Sequence, residues 1–289
     1  NVNIEIDSFL DILYVHNLYA NNKKNKLRIL FSYFKRVFVL LNSSKNILIE
    51  YEALPYIPYF IERLFLKNKN YILNFDDNVW VTYENKYLLN KKFDNLVKNA
   101  SGVIVANEFL KDKVIKLNDN IIKIPTVIDL ESYKIDEQTK KFDKFTIVWI
   151  GSPSTYKYIK SHAHIFKKLS SIISYKLVII ATKILQEDDI KDVDMVFYDW
   201  SADKEVEILK KSHIGIMPLD ADSFSQGKSA FKIIQYLATG LPTVASGIGE
   251  NCNVVRNNET GFLVNSEDEW INAIVNLYEN EIAYNKFSK

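Results

Sequence analysis

The chain has 289 residues, 47% of them hydrophobic and 25% charged, and at about 150 residues per domain this length predicts two soluble globular domains. Its 17 Tyr, 17 Phe and 4 Trp can bury a large core, which excludes disorder as the main state, and its single cysteine, Cys252, excludes a disulfide scaffold. The net charge of +1 argues against a nucleic-acid binder.

The N-terminal part of the chain is basic and rich in apolar residues. Residues 12–49 contain seven basic side chains and no acidic one: Lys23, Lys24, Lys26, Arg28, Lys35, Arg36 and Lys45. In a helix, Leu30, Phe34, Val37 and Phe38 would form one apolar stripe. Two interpretations stay open: a surface that rests on anionic lipid, or a core helix with a solvated basic rim.

Strand-like and helix-like patterns then alternate along the chain. The first series predicts strands at 46–51, 71–75, 102–106 and 121–124, with helices at 56–66, 86–99 and 108–117. The second series predicts strands at 146–150, 176–180, 195–198, 215–218, 243–245 and 262–264, with helices at 156–171, 204–211, 229–239 and 267–278. This alternation predicts an α/β protein with two parallel sheets, each covered by helices, and ligands at the carboxyl ends of the strands.

A polar segment separates the two series. Residues 129–144 lack apolar periodicity and are interpreted as a linker between two domains, 1–140 and 141–289. No apolar run is long enough to span a bilayer and no signal peptide is visible, so we expect a cytoplasmic setting. The chain starts at Asn1 rather than Met, and a preceding segment is therefore expected.

Residues 226–246 (QGKSAFKIIQYLATGLPTVAS) carry the strongest chemical signal. Ser229 is expected to cap a helix, and Gly227 and Lys228 come just before its start. The backbone N–H groups and the dipole of a helix start favour a phosphate, and Lys228 and Lys232 could neutralise a diphosphate without a metal ion. The alternative is an ordinary core helix with two solvated lysines.

A second turn supports a phosphate site at the same edge of the sheet. Gly151 and Ser152 begin the turn GSPST, which follows the strand at 146–150 and opens a helix. In doubly wound folds the first turn of this kind binds phosphates. Alone the signal is weak, because Gly, Ser and Pro are also common in ordinary loops.

With these blocks in place, nearly the whole chain resembles glycosyltransferase family 4. The resemblance is carried by WIGSPST at 149–155, GKSAFKIIQYLATGLPTVAS at 227–246, NETGFLV at 258–264, NFDDNVW at 74–80, VANEFL at 105–110 and IPTVIDLESY at 124–133. It implies the GT-B fold, two Rossmann-like domains facing a cleft, with the first strand of the N-terminal domain lacking here. It also implies sugar transfer with retention from a nucleotide-diphosphate sugar to a glycan or lipid-linked acceptor, in polysaccharide or lipopolysaccharide synthesis and without a cofactor.

The resemblance assigns roles position by position. Two family glutamates fall on Gly227 and Gln235, which places this chain closer to a branch with a GKxxxKxxQY pattern. Gln235 would hold the donor ribose, Trp200 would lie beside the base, and Gly151 would let the backbone approach the phosphates. The donor-side set is Gly151, Ser152, Trp200, Gly227, Ser229 and Gln235, and the catalytic set is Lys228, Lys232 and Asp76.

The acidic residues of the N-terminal half leave alternatives open. Asp76 and Asp77 follow an apolar strand, a pattern found in metal sites, whereas the resemblance implies a contact of Asp76 with sugar or acceptor and no metal. The alternative is that one of the two aspartates caps a loop or a helix. Glu50 and Glu52 are acceptor-side candidates, while Glu205 and Glu207 are expected to lie on a solvated helix start. The rival functions are a GT-B epimerase or phosphorylase and a non-catalytic nucleotide-sugar binding module.

Overall fold

The computed structural model of the protein describes residues 4–21, 24–134, 139–182 and 190–288. The chain divides into two compact units. Unit 1 comprises Asn1–Pro125 and Gln226–Ser229, and unit 2 comprises Thr126–Ser225 and Ala230–Lys289. The units therefore part at residue 125, whereas the sequence analysis places a domain boundary at residue 140.

Unit 1 is built on a sheet of parallel strands. The strands are β1 (Asn46–Glu50), β2 (Asn70–Phe75), β3 (Gly102–Val105) and β4 (Ile121–Lys123), in the spatial order β1-β2-β3-β4. The helices are α1 (Ile12–Asn21), α2 (Lys26–Asn42), α3 (Tyr59–Leu66), α4 (Lys92–Asn99) and α5 (Glu108–Val114), with a 3-10 helix at Val79–Thr82. Leu73, Phe75 and Val105 of the central strands are completely buried against these helices.

Unit 2 contains a larger parallel sheet, in the spatial order β10-β9-β8-β5-β6-β7. Its strands are β5 (Thr146–Ile150), β6 (Lys176–Ala181), β7 (Met195–Asp199), β8 (Ile214–Met217), β9 (Thr243–Ser246) and β10 (Gly261–Val264). Its helices are α6 (Leu130–Tyr133), α7 (Lys157–Ser161), α8 (Ala163–Ser170), α9 (Ala202–Lys211), α10 (Ser223–Gln226), α11 (Phe231–Ala238), α12 (Asn251–Val254), α13 (Glu267–Glu279) and α14 (Glu281–Phe287).

The central strand β5 is buried on both faces. Ile147 and Trp149 pack into one hydrophobic cluster and Val148 and Ile150 into another, because alternate residues of a strand point to opposite faces of the sheet. This two-sided burial is typical of a parallel sheet covered by helices on both sides. The predicted α/β class with two parallel sheets is confirmed.

The predicted strands agree with the structure to within one residue at each end, but several helices are shorter. Residues 86–91 are not helical, since Leu88 takes a left-handed φ of 69°, and α3 begins only after Tyr56, whose φ is 58°. The helix predicted at 156–171 is two helices, divided at His162 with φ −96° and ψ 8°. The segment predicted as a linker contains α6, and residues 135–138 of it lie outside the described residues.

The basic N-terminal stretch forms the helix α2, and one side of this helix is apolar and exposed. The exposed apolar stripe consists of Leu27, Leu30, Phe31, Phe34, Phe38 and Leu41. Val37, predicted as part of the stripe, instead packs against the core of unit 1. None of the helices in the described ranges is long and apolar enough to cross a membrane.

Three of the basic side chains on α2 are ion-paired. Arg28 pairs with Asp11 at 2.8 Å, and Lys35 and Arg36 pair with Asp7 at 2.6 and 2.9 Å. Lys23 lies outside the described residues. The positive charge of this surface is therefore carried mainly by Lys24, Lys26 and Lys45, which flank the two ends of the stripe.

Candidate functional site

The turn Gln226–Ser229 packs against two buried asparagines of unit 1. Asn107 caps α5 by accepting from the N–H of Leu110, and its Nδ2 donates to the carbonyl oxygens of Gly227 and Lys228 at 3.1 and 3.2 Å. A β-carbon built on Gly227 would meet the β-carbon of Asn78 at 2.3 Å. Residue 227 therefore has no room for a side chain, which is a physical reason for a glycine where the resemblance leads one to expect a glutamate.

Lys228, on the same turn, lies near a pair of aspartates at the carboxyl end of β2. Its side chain is almost completely buried, and its Nζ is 3.8 Å from Oδ2 of Asp77. Asp76 accepts a short hydrogen bond from the hydroxyl of Tyr51. Burial, together with the charges of Asp77 and Glu50, raises the pKa of Asp76 to about 6, although Lys228 acts in the opposite direction. Asp76 is therefore partly protonated near pH 6, where an aspartate with the ordinary pKa is ionised.

The two predicted acceptor-side glutamates differ in their surroundings. Glu50 accepts hydrogen bonds from Nδ2 of Asn74 at 2.9 and 3.1 Å and stays at the exposed end of β1. Glu52 points toward the core, where it accepts from the hydroxyl of Tyr83 at 2.7 Å and pairs with the fully buried Lys92. The structure therefore brings Glu50 close to Asp76, whereas Glu52 forms a structural ion pair with Lys92.

Lys92 fixes the loop that follows β1, which we call the 51–57 loop. Its Nζ pairs with the buried Glu62 at 2.9 Å and donates to the carbonyl of Leu54 at 2.6 Å. Glu62 in turn accepts from the N–H groups of Ala53 and Leu54 at 2.7 and 3.1 Å. A buried charge is tolerated when it is paired and hydrogen-bonded in this way.

In unit 2, the turn after β5 is close-packed. A β-carbon on Gly151 would lie 2.4 Å from the ring of Trp149, so packing requires glycine here. Ser152 Oγ is 2.8 Å from Ser154 Oγ and 3.2 Å from Thr155 Oγ1, and these contacts stabilise the turn. Lys232, in the first turn of α11, places its Nζ 5.6 Å from the ring centre of Trp149.

The start of α11 differs from the prediction. The helix begins at Phe231, after Ala230 in a left-handed conformation with φ 55° and ψ 24°, and no side chain caps it. The expectation that Ser229 caps this helix is wrong. The left-handed residue at 230 separates Ser229 from the helix, so Lys228 precedes the first helical residue, Phe231, by three positions.

Unit 2 has a cavity of about 710 Å³ near the N-terminal ends of α9 and α11. Trp200 and Gln235, both predicted on the donor side, line this cavity together with Tyr133 and Glu205. Trp200 is 46% exposed and follows β7 directly, whereas Gln235 is only 3% exposed. The cavity thus combines an accessible aromatic ring with a buried amide.

Glu205 is the polar centre of this cavity. Its carboxylate accepts hydrogen bonds from the hydroxyl of Tyr133 at 2.9 Å, from Nε1 of Trp200 and from Nε2 of Gln235. Glu205 is 5% exposed, so the prediction of a solvated side chain is wrong for it; Glu207 is exposed and pairs with Lys211. Two of the three donors, Tyr133 and Gln235, lie 72 and 30 residues away in the sequence, so no local pattern identifies Glu205.

Two further residues were not predicted from the sequence. Asn107 precedes a helix, which identifies a cap but not its contact with residues 227 and 228. Tyr51, which follows β1 and has a left-handed φ of 58°, donates its hydroxyl hydrogen to Asp76. Within the described part of the chain, no three His, Cys, Asp or Glu side chains are grouped so that they could hold a metal ion.

Comparisons with known proteins agree with this geometry. Residues 144–280 match the model of a protein family described as Glycosyl transferases group 1. This segment contains β5, the turn at Gly151, Trp200, Glu205 and α11 with Gln235. No curated protein sequence matches the chain.

Several solved structures share the fold at low identity. Sucrose-phosphate synthase from Thermosynechococcus elongatus is 14% identical with a TM-score of 0.66, over 92% of this chain and 74% of that one. A TarM variant from S. aureus, in complex with Fondaparinux, alpha-GlcNAc-glycerol and UDP, is 15% identical with a TM-score of 0.66, over 92% and 54%. Alr3699/HepE from Anabaena, in complex with UDP-glucose, is 15% identical with a TM-score of 0.63, over 79% and 67%.

These similarities define the architecture of the chain. Its two parallel-sheet units are Rossmann-like, as in GT-B proteins, and the expected fold is confirmed. The chain spans only about half the length of TarM and two thirds to three quarters of the other two proteins.

Proposed function

We propose that the protein is a glycosyltransferase that takes a sugar from a nucleotide-diphosphate donor and transfers it, with retention, to a glycan or lipid-linked acceptor. The cavity of unit 2 carries this proposal, because it lies in the segment that matches the family and offers an aromatic ring beside buried polar groups. Such a combination suits a nucleoside, whose base is flat and whose ribose is polyhydroxylated.

In this proposal the protein stabilises a leaving diphosphate. Lys228 and Lys232 supply positive charge, and backbone N–H groups near Gly227 and Gly151 supply hydrogen bonds as the glycosidic bond breaks. The leaving phosphate takes the acceptor proton on the same face of the sugar, so retention needs no protein nucleophile. The two lysines replace a metal ion, and no cofactor is needed beyond the donor substrate.

The acceptor is proposed to bind near the carboxyl ends of β1 and β2. Asp76 and Glu50 are the candidate contacts to its hydroxyl groups, since carboxylates accept hydrogen bonds readily. Glu52 is tied to Lys92 and contributes by fixing the 51–57 loop. The product would belong to a surface polysaccharide or lipopolysaccharide.

The exposed apolar stripe of α2 supports a lipid-linked acceptor. Lys24, Lys26 and Lys45 flank the stripe, and this charge complements anionic lipid headgroups. We propose that the protein rests peripherally on the cytoplasmic face of a membrane through this helix.

The proposal is tested by measuring Tm with UDP, GDP, ADP and CDP, because a ligand that binds only the native state raises Tm. The nucleotide that does so is then supplied as its sugar conjugates with candidate acceptors, and the anomeric configuration of the product is read by NMR. A nucleotide that binds without sugar transfer or hydrolysis would favour a binding module, an alternative supported by the absence of a carboxylate at Gly227. Epimerised or phosphorolysed sugar would instead identify the other rival activities.

A further inference from the structure

The carboxylate of Glu205 has no cationic partner in the part of the chain that the structure describes. Its three hydrogen-bond donors are the neutral groups of Tyr133, Trp200 and Gln235. Burying a carboxylate without a counter-charge is costly, and the N-terminal end of α9, in whose first turn Glu205 lies, offers only the partial positive charge of a helix dipole. A packing role alone would be served better by an apolar residue.

The network also fixes which atoms remain for a ligand. Nε2 of Gln235 donates one hydrogen to the Tyr133 hydroxyl at 2.9 Å and the other to Oε1 of Glu205. Both hydrogens of this amide nitrogen are therefore used. Among the described residues, Oε1 of Glu205 accepts from Tyr133 and Gln235, whereas Oε2 accepts only from Trp200. A carboxylate oxygen has two acceptor sites, so Oε2 retains one, and the amide oxygen of Gln235 is a second acceptor.

The two side chains that line this cavity beside the ring of Trp200 therefore offer two oxygen acceptors. A pair of adjacent hydroxyl groups is the ligand feature that donates to both acceptors. The indole N–H of Trp200 is already bound to Glu205, which holds the ring in place and leaves its exposed area as an apolar surface.

We infer that Glu205 is a nucleoside-binding carboxylate that, with the amide of Gln235, accepts hydrogen bonds from the two ribose hydroxyls of the donor. The inference rests on the proposed function. It moves the negative charge of the ribose site from residue 235, where the family resemblance places it, to residue 205 on α9.

The test combines substitutions with altered ligands. Tm and Kd are measured for UDP, GDP, ADP and CDP, and the nucleotide that binds is compared with its 2′-deoxy and 2′,3′-dideoxy forms. In Glu205→Gln we expect about tenfold to hundredfold weaker binding of the ribonucleotide, the range for a lost hydrogen bond to a charged group. The dideoxy form should bind equally to this variant and to the unchanged protein.

Two further variants separate recognition from folding. Glu207→Gln, on the same helix but with its carboxylate paired to Lys211 at 2.6 Å, is the matched control and should leave the preference for ribose unchanged. The double variant Glu205→Gln with Gln235→Glu keeps one carboxylate and one amide in contact. Without ligand, its Tm should equal that of the unchanged protein, and it should regain part of the preference for ribose that Glu205→Gln loses.

One result would overturn the inference and show a structural role for Glu205. In that result, Glu205→Gln lowers the affinities for the ribonucleotide and the dideoxynucleotide by the same factor. Equal affinity of the unchanged protein for the ribonucleotide and the dideoxynucleotide would also overturn the inference, but it would leave the proposed function unaffected. If no nucleotide raises Tm, the proposed function fails and the inference with it.

Discussion

A β-carbon at Gly227 would lie 2.3 Å from the β-carbon of Asn78, so the turn at 226–229 and the segment after β2 approach each other as closely as two backbones allow. The family resemblance leads one to expect a glutamate at position 227. The packing shows why this chain cannot carry one without moving Asn78, whose side chain is fully buried.

We therefore expect Gly227→Ala to destabilise the protein by about 1–3 kcal/mol, the usual cost of overpacking. Gly227→Glu, which would introduce the glutamate expected from the resemblance, should destabilise the protein further and should not raise its activity. Thermal unfolding measures both variants. Ser229→Ala is the control, because no side chain caps α11, and it should leave Tm unchanged. A Gly227→Ala protein as stable as the unchanged one would contradict the packing argument.

The phosphate role of the lysines predicts a difference between charged and uncharged ligands. Lys228→Ala and Lys232→Ala should each weaken binding of the nucleoside diphosphate by about 1–3 kcal/mol, the range for a charged hydrogen bond. Binding of the uncharged nucleoside should change much less. Calorimetry with both ligands measures this, with the exposed Lys167→Ala as control. Equal losses for the two ligands would place the phosphates elsewhere.

Asp76 should make stability depend on pH. Because the pKa of Asp76 is raised to about 6 in the fold, above its ordinary value of 3.8, the folded protein holds this proton more tightly than the unfolded chain. The resulting stabilisation is complete below about pH 4 and is lost as pH rises through 6.

Asp76→Asn removes this titration. The Tm of the variant should rise relative to that of the unchanged protein as pH increases from 4 to 7, since the substitution removes a buried negative charge next to Asp77 and Glu50. Asp119→Asn, at an exposed position, is the control for the loss of a carboxylate. If the Tm difference between Asp76→Asn and the unchanged protein is the same at every pH, the pKa of Asp76 is not raised.

The proposed metal independence predicts that sugar transfer survives EDTA, because the two lysines supply the positive charge. The assay compares initial rates with EDTA, and after adding Mg²⁺ or Mn²⁺. Complete loss of activity with EDTA, restored by either ion, would revive a metal role for Asp76 and Asp77.

The apolar stripe of α2 predicts binding to anionic vesicles that weakens with salt. Phe34→Ser combined with Phe38→Ser should abolish co-sedimentation with such vesicles, because both side chains are more than 60% exposed and contribute little to the core. Ile282→Ser, at an exposed apolar residue of unit 2, is the control. Absence of binding by the unchanged full chain would contradict the membrane proposal.

The strands could be predicted closely from the sequence because short apolar runs bounded by turn residues reflect local preferences. The N-terminal end of α11 could not be predicted, since Ser229 has the chemistry of a cap but Ala230 adopts a left-handed conformation. The burial of Glu205 could not be predicted for a different reason. Its position in the first turn of a helix suggests solvent, and its burial depends on Tyr133, 72 residues before it, and Gln235, 30 residues after it.

The candidate site could be predicted only where local sequence motifs define it. The turn at Gly227 and the aromatic Trp200 could be located from local motifs. The contacts of Asn107 with that turn, and of Tyr51 with Asp76, depend on backbone paths that no short motif encodes.

The 51–57 loop has a consequence for the kinetics of acceptor binding. Its backbone is fixed at Ala53 and Leu54 by Glu62, at Pro55 by the hydroxyl of Tyr33, and at Tyr56 by the hydroxyl of Tyr83. The conformational entropy of this loop is thus lost when unit 1 folds and not when a ligand arrives. An acceptor that meets this edge should associate in a single step, without a slow phase for loop closure, and should be selected by its shape rather than by the loop adapting to it.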